Sequence, residues 1–140
     1  MRSVVFALLV VASLGAGCTG SSSTTTAPTV SGTLTEVFVG SLDVNGAGFY
    51  SFTVSSTGTT SVMLASLTQA TPGPVADLAV SLGVGVPAGI GCPVTTAVSV
   101  GPALTSQIAT TLTPGIYCVN IADIGNLRAA VNFAIRIVHT

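Results

Sequence analysis

The chain has 140 residues, only 5% of them charged, and a formal net charge of −1 at pH 7. It contains no lysine, so it lacks the clustered cationic side chains that displace counterions from nucleic acid, and its one histidine cannot complete a zinc site. These values exclude nucleic-acid binding and predict no metal and no cofactor. The surface must be covered by small and hydroxyl side chains, which leave sheet edges weakly protected against self-association.

Residues 1–17 have the organisation of a signal peptide. Met1 and Arg2 form a short positive segment, residues 4–14 are apolar, and small residues occupy 15–17. An apolar run of this length is too short to cross a bilayer, since a spanning helix needs about 20 residues. We therefore predict that residues 1–17 are cleaved and that the protein is exported.

The residues before Cys18 resemble the lipobox of bacterial lipoproteins, in which the cysteine is acylated and becomes the mature N-terminus. Lipoboxes usually have leucine three residues before the cysteine, whereas Gly15 occupies that place here and Leu14 lies one residue further out. The resemblance implies that Cys18 carries lipid and that this lipid attaches the protein to a membrane. The protein would then be a lipoprotein of the outer membrane, the periplasm or the cell surface. The alternative is an ordinary secretory signal and a secreted protein.

Residues 18–29 are rich in Ser and Thr and have too little apolar surface to fold, so we predict a linker. From residue 30 to residue 140 the pattern changes to short β-rich runs separated by Gly, Pro and Asn. Period-two alternation and turn residues predict strands at 49–54, 61–67, 77–82, 94–100, 104–112, 116–121 and 129–138. Seven to eight short strands without helical periodicity indicate an all-β, jelly-roll-like antiparallel β-sandwich.

Four segments together resemble a bacterial pre-peptidase C-terminal domain: Gly32-Thr33-Leu34, Phe49-Tyr50-Ser51-Phe52-Thr53-Val54, Ala76-Asp77-Leu78-Ala79-Val80, and Leu112-Thr113-Pro114-Gly115-Ile116-Tyr117-Cys118-Val119. The resemblance covers residues 30–140. It implies a jelly-roll-like sandwich without catalytic residues, of the kind appended to secreted enzymes. Calcium-binding relatives carry an acidic cluster near the start of the domain, where this chain has only Glu36 and Asp43, so calcium and collagen binding are not implied.

The three cysteines are an odd number for an exported protein. If Cys18 carries lipid, Cys92 and Cys118 remain as a pair that an oxidising compartment would join. Alternation in 116–121 places Cys118 on the face opposite the core. We therefore expect the disulfide to fasten the Gly-rich segment 83–91 to the outer surface of a sheet.

Three further features have structural and functional interpretations. Residues 83–88 fit the spacing GxGxxA of dinucleotide-binding turns, but Pro87 and the surrounding glycines forbid the helix that must follow, so we predict a flexible loop. His139 is interpreted as a strand-end histidine, because no GxSxG motif accompanies it. Asp77 and Asp123, with Arg128, could orient a ligand; we favour strand-opening and turn-capping roles for the two carboxylates.

No set of residues in the sequence combines an acid, a base and a nucleophile, so we predict that the protein is not an enzyme. The sequence favours an exported accessory or binding module that recognises a protein or polysaccharide. A structural subunit that self-associates into an extracellular or envelope assembly is the alternative. Four aromatic residues have inward parity, which leaves little for a sugar-stacking platform: Tyr50, Phe52, Tyr117 and Phe133.

Overall fold

The computed structural model describes residues 32–69 and 78–140. These contain eight strands: β1 (Leu34–Leu42), β2 (Ala47–Val54), β3 (Gly58–Gln69), β4 (Val80–Gly85), β5 (Val94–Val100), β6 (Ile108–Leu112), β7 (Gly115–Asp123) and β8 (Val131–His139). The predicted signal peptide, the linker with Cys18, and Asp77 lie outside the described residues. The described residues contain no helix.

The strands form two antiparallel sheets of four strands each. Sheet I has the order β1-β8-β3-β6, and sheet II has the order β2-β7-β4-β5. Only the β4–β5 hairpin joins neighbouring strands, and every other connection crosses from one sheet to the other. The predicted all-β antiparallel sandwich is therefore confirmed.

Alternating residues of both sheets meet in one apolar core. Phe52, Leu82, Ile121 and Ile135 are buried there, and Tyr50 and Tyr117 pack against its margin. The predicted inward faces of β2, β4, β7 and β8 are confirmed, because their alternation reflects one buried and one wet face. Burial of this apolar surface is the main favourable contribution to folding.

The predicted flexible loop at residues 83–88 is wrong for its first three residues, which form the end of β4. Gly83 and Gly85 belong to β4, where they pair with β5 on one side and β7 on the other. A Cβ at Gly85 would collide with the backbone of Pro93, and one at Gly83 would lie 2.7 Å from Val94 Cγ1. Glycine is required here because another segment of chain packs directly on the strand, and not because the segment must be flexible.

The strand predicted at 104–112 begins only at Ile108. Before it, the backbone amides of Ala103 and Gln107 donate to the carbonyls of Leu64 and Val62 on β3. The Gln107 side chain adds a bridge: the Leu64 amide donates to its Oε1 over 2.7 Å, and its Nε2 donates to the Gly101 carbonyl. Pro102 has no amide hydrogen to contribute to a ladder. The glutamine side chain and these two backbone amides together satisfy the edge of β3 before β6 begins.

Candidate interaction surface

The disulfide joins Cys92 to Cys118, with the two Cα atoms 6.0 Å apart. Cys118 lies between Tyr117 and Val119, which face the core, so its sulfur is on the outer side of sheet II. It is nevertheless fully buried. The predicted pairing and its outer position are confirmed, and the segment that carries Cys92 covers the sulfur of Cys118.

Residues 86–93 continue the β4–β5 hairpin beyond its two strands. The Val86 amide donates to the Pro93 carbonyl, and Ala88 and Gly91 exchange both of their backbone hydrogen bonds. Gly89 has φ of 58°, as the first residue of a two-residue hairpin turn requires. The predicted flexible loop is therefore an ordered hairpin fixed by backbone bonds and by the disulfide.

Asp123 organises two turns at once. Its Oδ1 accepts hydrogen bonds from the amides of Gly125, Asn126 and Leu127, and its Oδ2 accepts one of 2.8 Å from the Asn45 amide. The bond from Asn45 is the largest cause that lowers the pKa of this carboxyl below 3.8. Desolvation opposes it, and the bonds from Leu127, Gly125 and Asn126 each add a smaller lowering effect. The predicted cap is confirmed, and the contact to Asn45 is an addition that the sequence did not indicate.

His139 is a strand-end residue as expected, but only 1% of it is exposed. Its Nε2 lies 2.9 Å from Oε1 of Glu36, and its ring lies 5.3 Å from that of Phe52. The two carboxylates lie apart in the fold, because Glu36 belongs to sheet I and Asp123 ends a strand of sheet II. Both carboxylates are engaged in contacts within the protein.

A concave surface lies on the outer face of sheet I. It is a shallow groove of about 390 Å³ across β1, β8 and β3, lined by Val39, Gly40, Ser66, Thr68, Asn132, Phe133 and Ala134. The groove lies beside the point where the β3 register shifts between Leu64 and Ser66. Val39, Ala134 and Ser66 form one cross-strand row, and Asn132 stands beside Thr68 in the next.

A smaller depression of about 140 Å³ lies further along the same face. Arg136 and Met63 line it together with Leu104, which is 97% exposed. Arg136 places one positive charge at this smaller depression. The outer face of sheet I therefore presents apolar side chains, hydroxyl groups, an amide and a guanidinium on one continuous surface.

Sequence reasoning did not identify this surface. Its members lie on three strands and share no local motif, and β1, which carries Val39, was not among the predicted strands. Val37 and Val39 on β1 are exposed to 58% and 68%. These two valines were the available signal for an interaction surface, because a strand with one face in solvent normally carries polar residues on that face.

Within residues 32–69 and 78–140, no three His, Cys, Asp or Glu side chains are grouped as a metal site requires. The same residues include no helix of the length and apolarity that crossing a membrane would need. No protein-family model matches the chain, and none of the curated proteins is significantly similar to it.

Proposed function

We propose that the protein is an exported, lipid-anchored β-sandwich that serves as a non-catalytic accessory or binding module at the cell surface or in the periplasm. The observation that carries this proposal is the groove on the outer face of sheet I. A stable sandwich needs only its inner faces to be apolar. The exposed Val39 beside Ser66 and Asn132 is therefore surplus to the fold and available to a ligand.

The chemistry of the groove suits a polysaccharide or an extended peptide. Thr68 and Ser66 offer hydroxyl groups, Asn132 offers both an amide donor and an acceptor, and Val39 and Ala134 provide apolar contact. The groove is shallow, so a ligand would lie along it and would not be enclosed. Arg136 nearby adds one cation for an acidic substituent.

The charged groups support a role without catalysis. All four hydrogen bonds of Asp123 are used to hold turns, and His139 is buried against Glu36. A general acid or base must reach a substrate within hydrogen-bond distance. The resemblance to pre-peptidase C-terminal domains points the same way, since those domains accompany enzymes without acting as one.

The groove can be tested with purified peptidoglycan sacculi as the polysaccharide probe. The full chain should sediment with them, and Ala134→Arg, which fills the groove, should reduce the bound fraction at least tenfold. Ser99→Arg introduces the same side chain on exposed β5 of the other sheet and should leave binding unchanged. Equal binding by both variants would contradict the proposal, and no sedimentation of the unaltered chain would exclude this polysaccharide.

A second candidate function is a structural subunit that self-associates. The observation that favours it is the character of the free strand edges. Among the described residues, β2 forms one edge of sheet II over eight residues without a charge, a proline or a shift in its register with β7. β5 forms the other edge, also without a charge or a proline, although its register with β4 shifts between Val84 and Gly85. Edge strands of monomeric proteins usually carry lysine, proline or a bulge that prevents pairing with another chain.

A further inference from the structure

Among the described strands, β1 is an edge strand of sheet I. In the described part of the chain, β1 pairs with β8 on one side and has no strand on the other. It runs for nine residues without a bulge in its register with β8. The Tyr50 hydroxyl makes a long hydrogen bond of 3.4 Å to the Val39 carbonyl, which keeps a second lone pair for another donor. The edge is therefore long, regular and able to accept a further strand.

The side chains of β1 are arranged symmetrically about its central residue, Phe38. If a second copy of the strand lies antiparallel with Phe38 opposite Phe38, most residues face a partner of similar size and character, and Glu36 opposite Gly40 is the exception. The pairs are Val37 with Val39, Thr35 with Ser41, Leu34 with Leu42, and Glu36 with Gly40. Aliphatic pairs and hydroxyl pairs directly across antiparallel strands stabilise a sheet.

The symmetric register would bury the two exposed valines of β1. Val37 and Val39 lie on the outer face of sheet I, with more than half of each side chain in contact with water. In the symmetric arrangement the two valines of one copy face the two valines of the other and form a single cluster of four. Burying this apolar surface is favourable, and the hydrophobic effect does not require a particular orientation of the side chains.

Glu36 is the one charge on β1, and an inward-pointing charge commonly protects an edge strand. Here it is already paired with His139 at 2.9 Å. In the symmetric register it faces Gly40 of the second copy, which has no side chain to displace it. The two Glu36 carboxylates would be separated by four residues along the strands, or about 13 Å, which is beyond the Debye length at physiological salt.

We infer that two copies of the chain pair antiparallel through β1, centred on Phe38, so that their two sheets I become one continuous eight-stranded sheet. The interface is isologous, as in most symmetric dimers. The inference deepens the second candidate function and rests on it, and it identifies the partner as another copy of this chain. Val37 of the second copy would stand beside Val39, at the rim of the groove described above.

Cysteine cross-linking tests the register directly. Val37→Cys and Val39→Cys chains are purified separately from the membrane fraction in detergent, oxidised alone or as an equal mixture, and mapped by peptide analysis without reduction. Directly opposite residues have Cβ atoms about 4.5–5.5 Å apart, whereas identical residues would be diagonal neighbours at about 7–8 Å, too far for a disulfide. The mixture should therefore yield a disulfide between the two introduced cysteines, one from each variant, and neither variant alone should form one.

A mixture without that link, or equal linking by either variant alone, would overturn the inference. Mapping identifies the linked cysteines, so a link through Cys18 cannot be mistaken for the expected one. Acylation of Cys18 is read from the intact mass of the same samples. Failure of the lipid anchor is thereby distinguishable from failure of the dimer.

The association state provides a second test that does not need a new bond. Val37→Lys places an ammonium group in the valine cluster of the dimer. Residue 37 is exposed in a single copy, so the lysine should not disturb the fold. We expect the dissociation constant of the dimer to rise at least tenfold. Ser99→Lys makes the same change on β5 and should leave the dimer unchanged. Loss of the dimer in Ser99→Lys alone would overturn the inference in favour of β5, and an unaltered chain that is monomeric throughout would overturn both it and the second candidate function.

Discussion

Nε2 of His139 lies 2.9 Å from Oε1 of Glu36, and this contact joins two residues that are 103 positions apart in the chain. The two strands that carry them are neighbours in sheet I, with Leu34 paired to His139. The last strand is thus tied to the first by a side-chain pair as well as by the backbone. The imidazole is buried at the margin of the core, with its Nε2 at this carboxylate and its Nδ1 3.3 Å from the Thr140 carbonyl oxygen.

Replacing His139 by alanine should lower the free energy of unfolding by roughly 2 kcal/mol, because it removes a buried ring and leaves Glu36 unpaired. Urea unfolding monitored by circular dichroism measures the change. Arg128→Ala, at an exposed position, is the control and should alter stability by less than about 0.5 kcal/mol. A similarly small effect of His139→Ala would show that the contact with Glu36 does not stabilise the fold.

The hydroxyl of Thr60 is buried and has no hydrogen-bond partner among residues 32–69 and 78–140. Valine has nearly the same shape without the polar atom, so Thr60→Val should raise the free energy of unfolding by about 1 kcal/mol. Thr60→Ser keeps the hydroxyl and removes the methyl group, and it should destabilise the protein. The urea midpoints of the two variants should lie on opposite sides of the midpoint of the unaltered chain, and a lower midpoint for Thr60→Val would contradict this account.

Asp123 should make stability depend on pH on the acid side. Because its pKa is lower in the folded protein than the ordinary 3.8, its ionised form stabilises the fold fully well above that value. The contribution is lost as pH falls through 3.8 and then through the lower folded pKa. Asp123→Asn should therefore unfold at a lower temperature than the unaltered chain at pH 6, with the difference shrinking towards pH 2; a constant difference would contradict the assignment.

The disulfide fixes the hairpin of residues 86–93 to sheet II. The double substitution Cys92→Ser, Cys118→Ser should leave the fold intact but cost roughly 2–4 kcal/mol, and the hairpin should become the first site of proteolysis. Reductant should lower the stability of the unaltered chain and have no effect on the double variant. First cleavage elsewhere in residues 32–140 would mean that the bridge does not hold this hairpin.

The sequence predicts the inner faces of β2, β7 and β8 because each has one buried and one wet side, which produces alternation. β1 lacks that signal, since Val37 and Val39 are apolar on its outer side, and its bounds were not predicted. Gly83 and Gly85 indicated a loop because glycine adopts many backbone conformations. Glycine is needed at these two positions because Pro93 and Val94 pack against β4 after the chain reverses, which leaves no room for a Cβ.

The candidate site was predicted less well than the fold, for a physical reason. The turn cap of Asp123 is local, and the spacing to Gly125 indicates it. The partnership of Glu36 with His139 and the groove across β1, β8 and β3 exist only after distant strands pair. No short motif encodes either of them.

The central claim is that Cys18 becomes the acylated N-terminus of an exported protein. The most direct measurement is the intact mass of the chain recovered from the membrane fraction of a bacterial host that expresses it in full. We expect the mass of residues 18–140 plus more than one acyl chain, since a single chain binds membranes only marginally. A mature chain without added acyl mass, or a Cys18→Ser form that is cut at the same place and stays bound to the membrane, would contradict the claim.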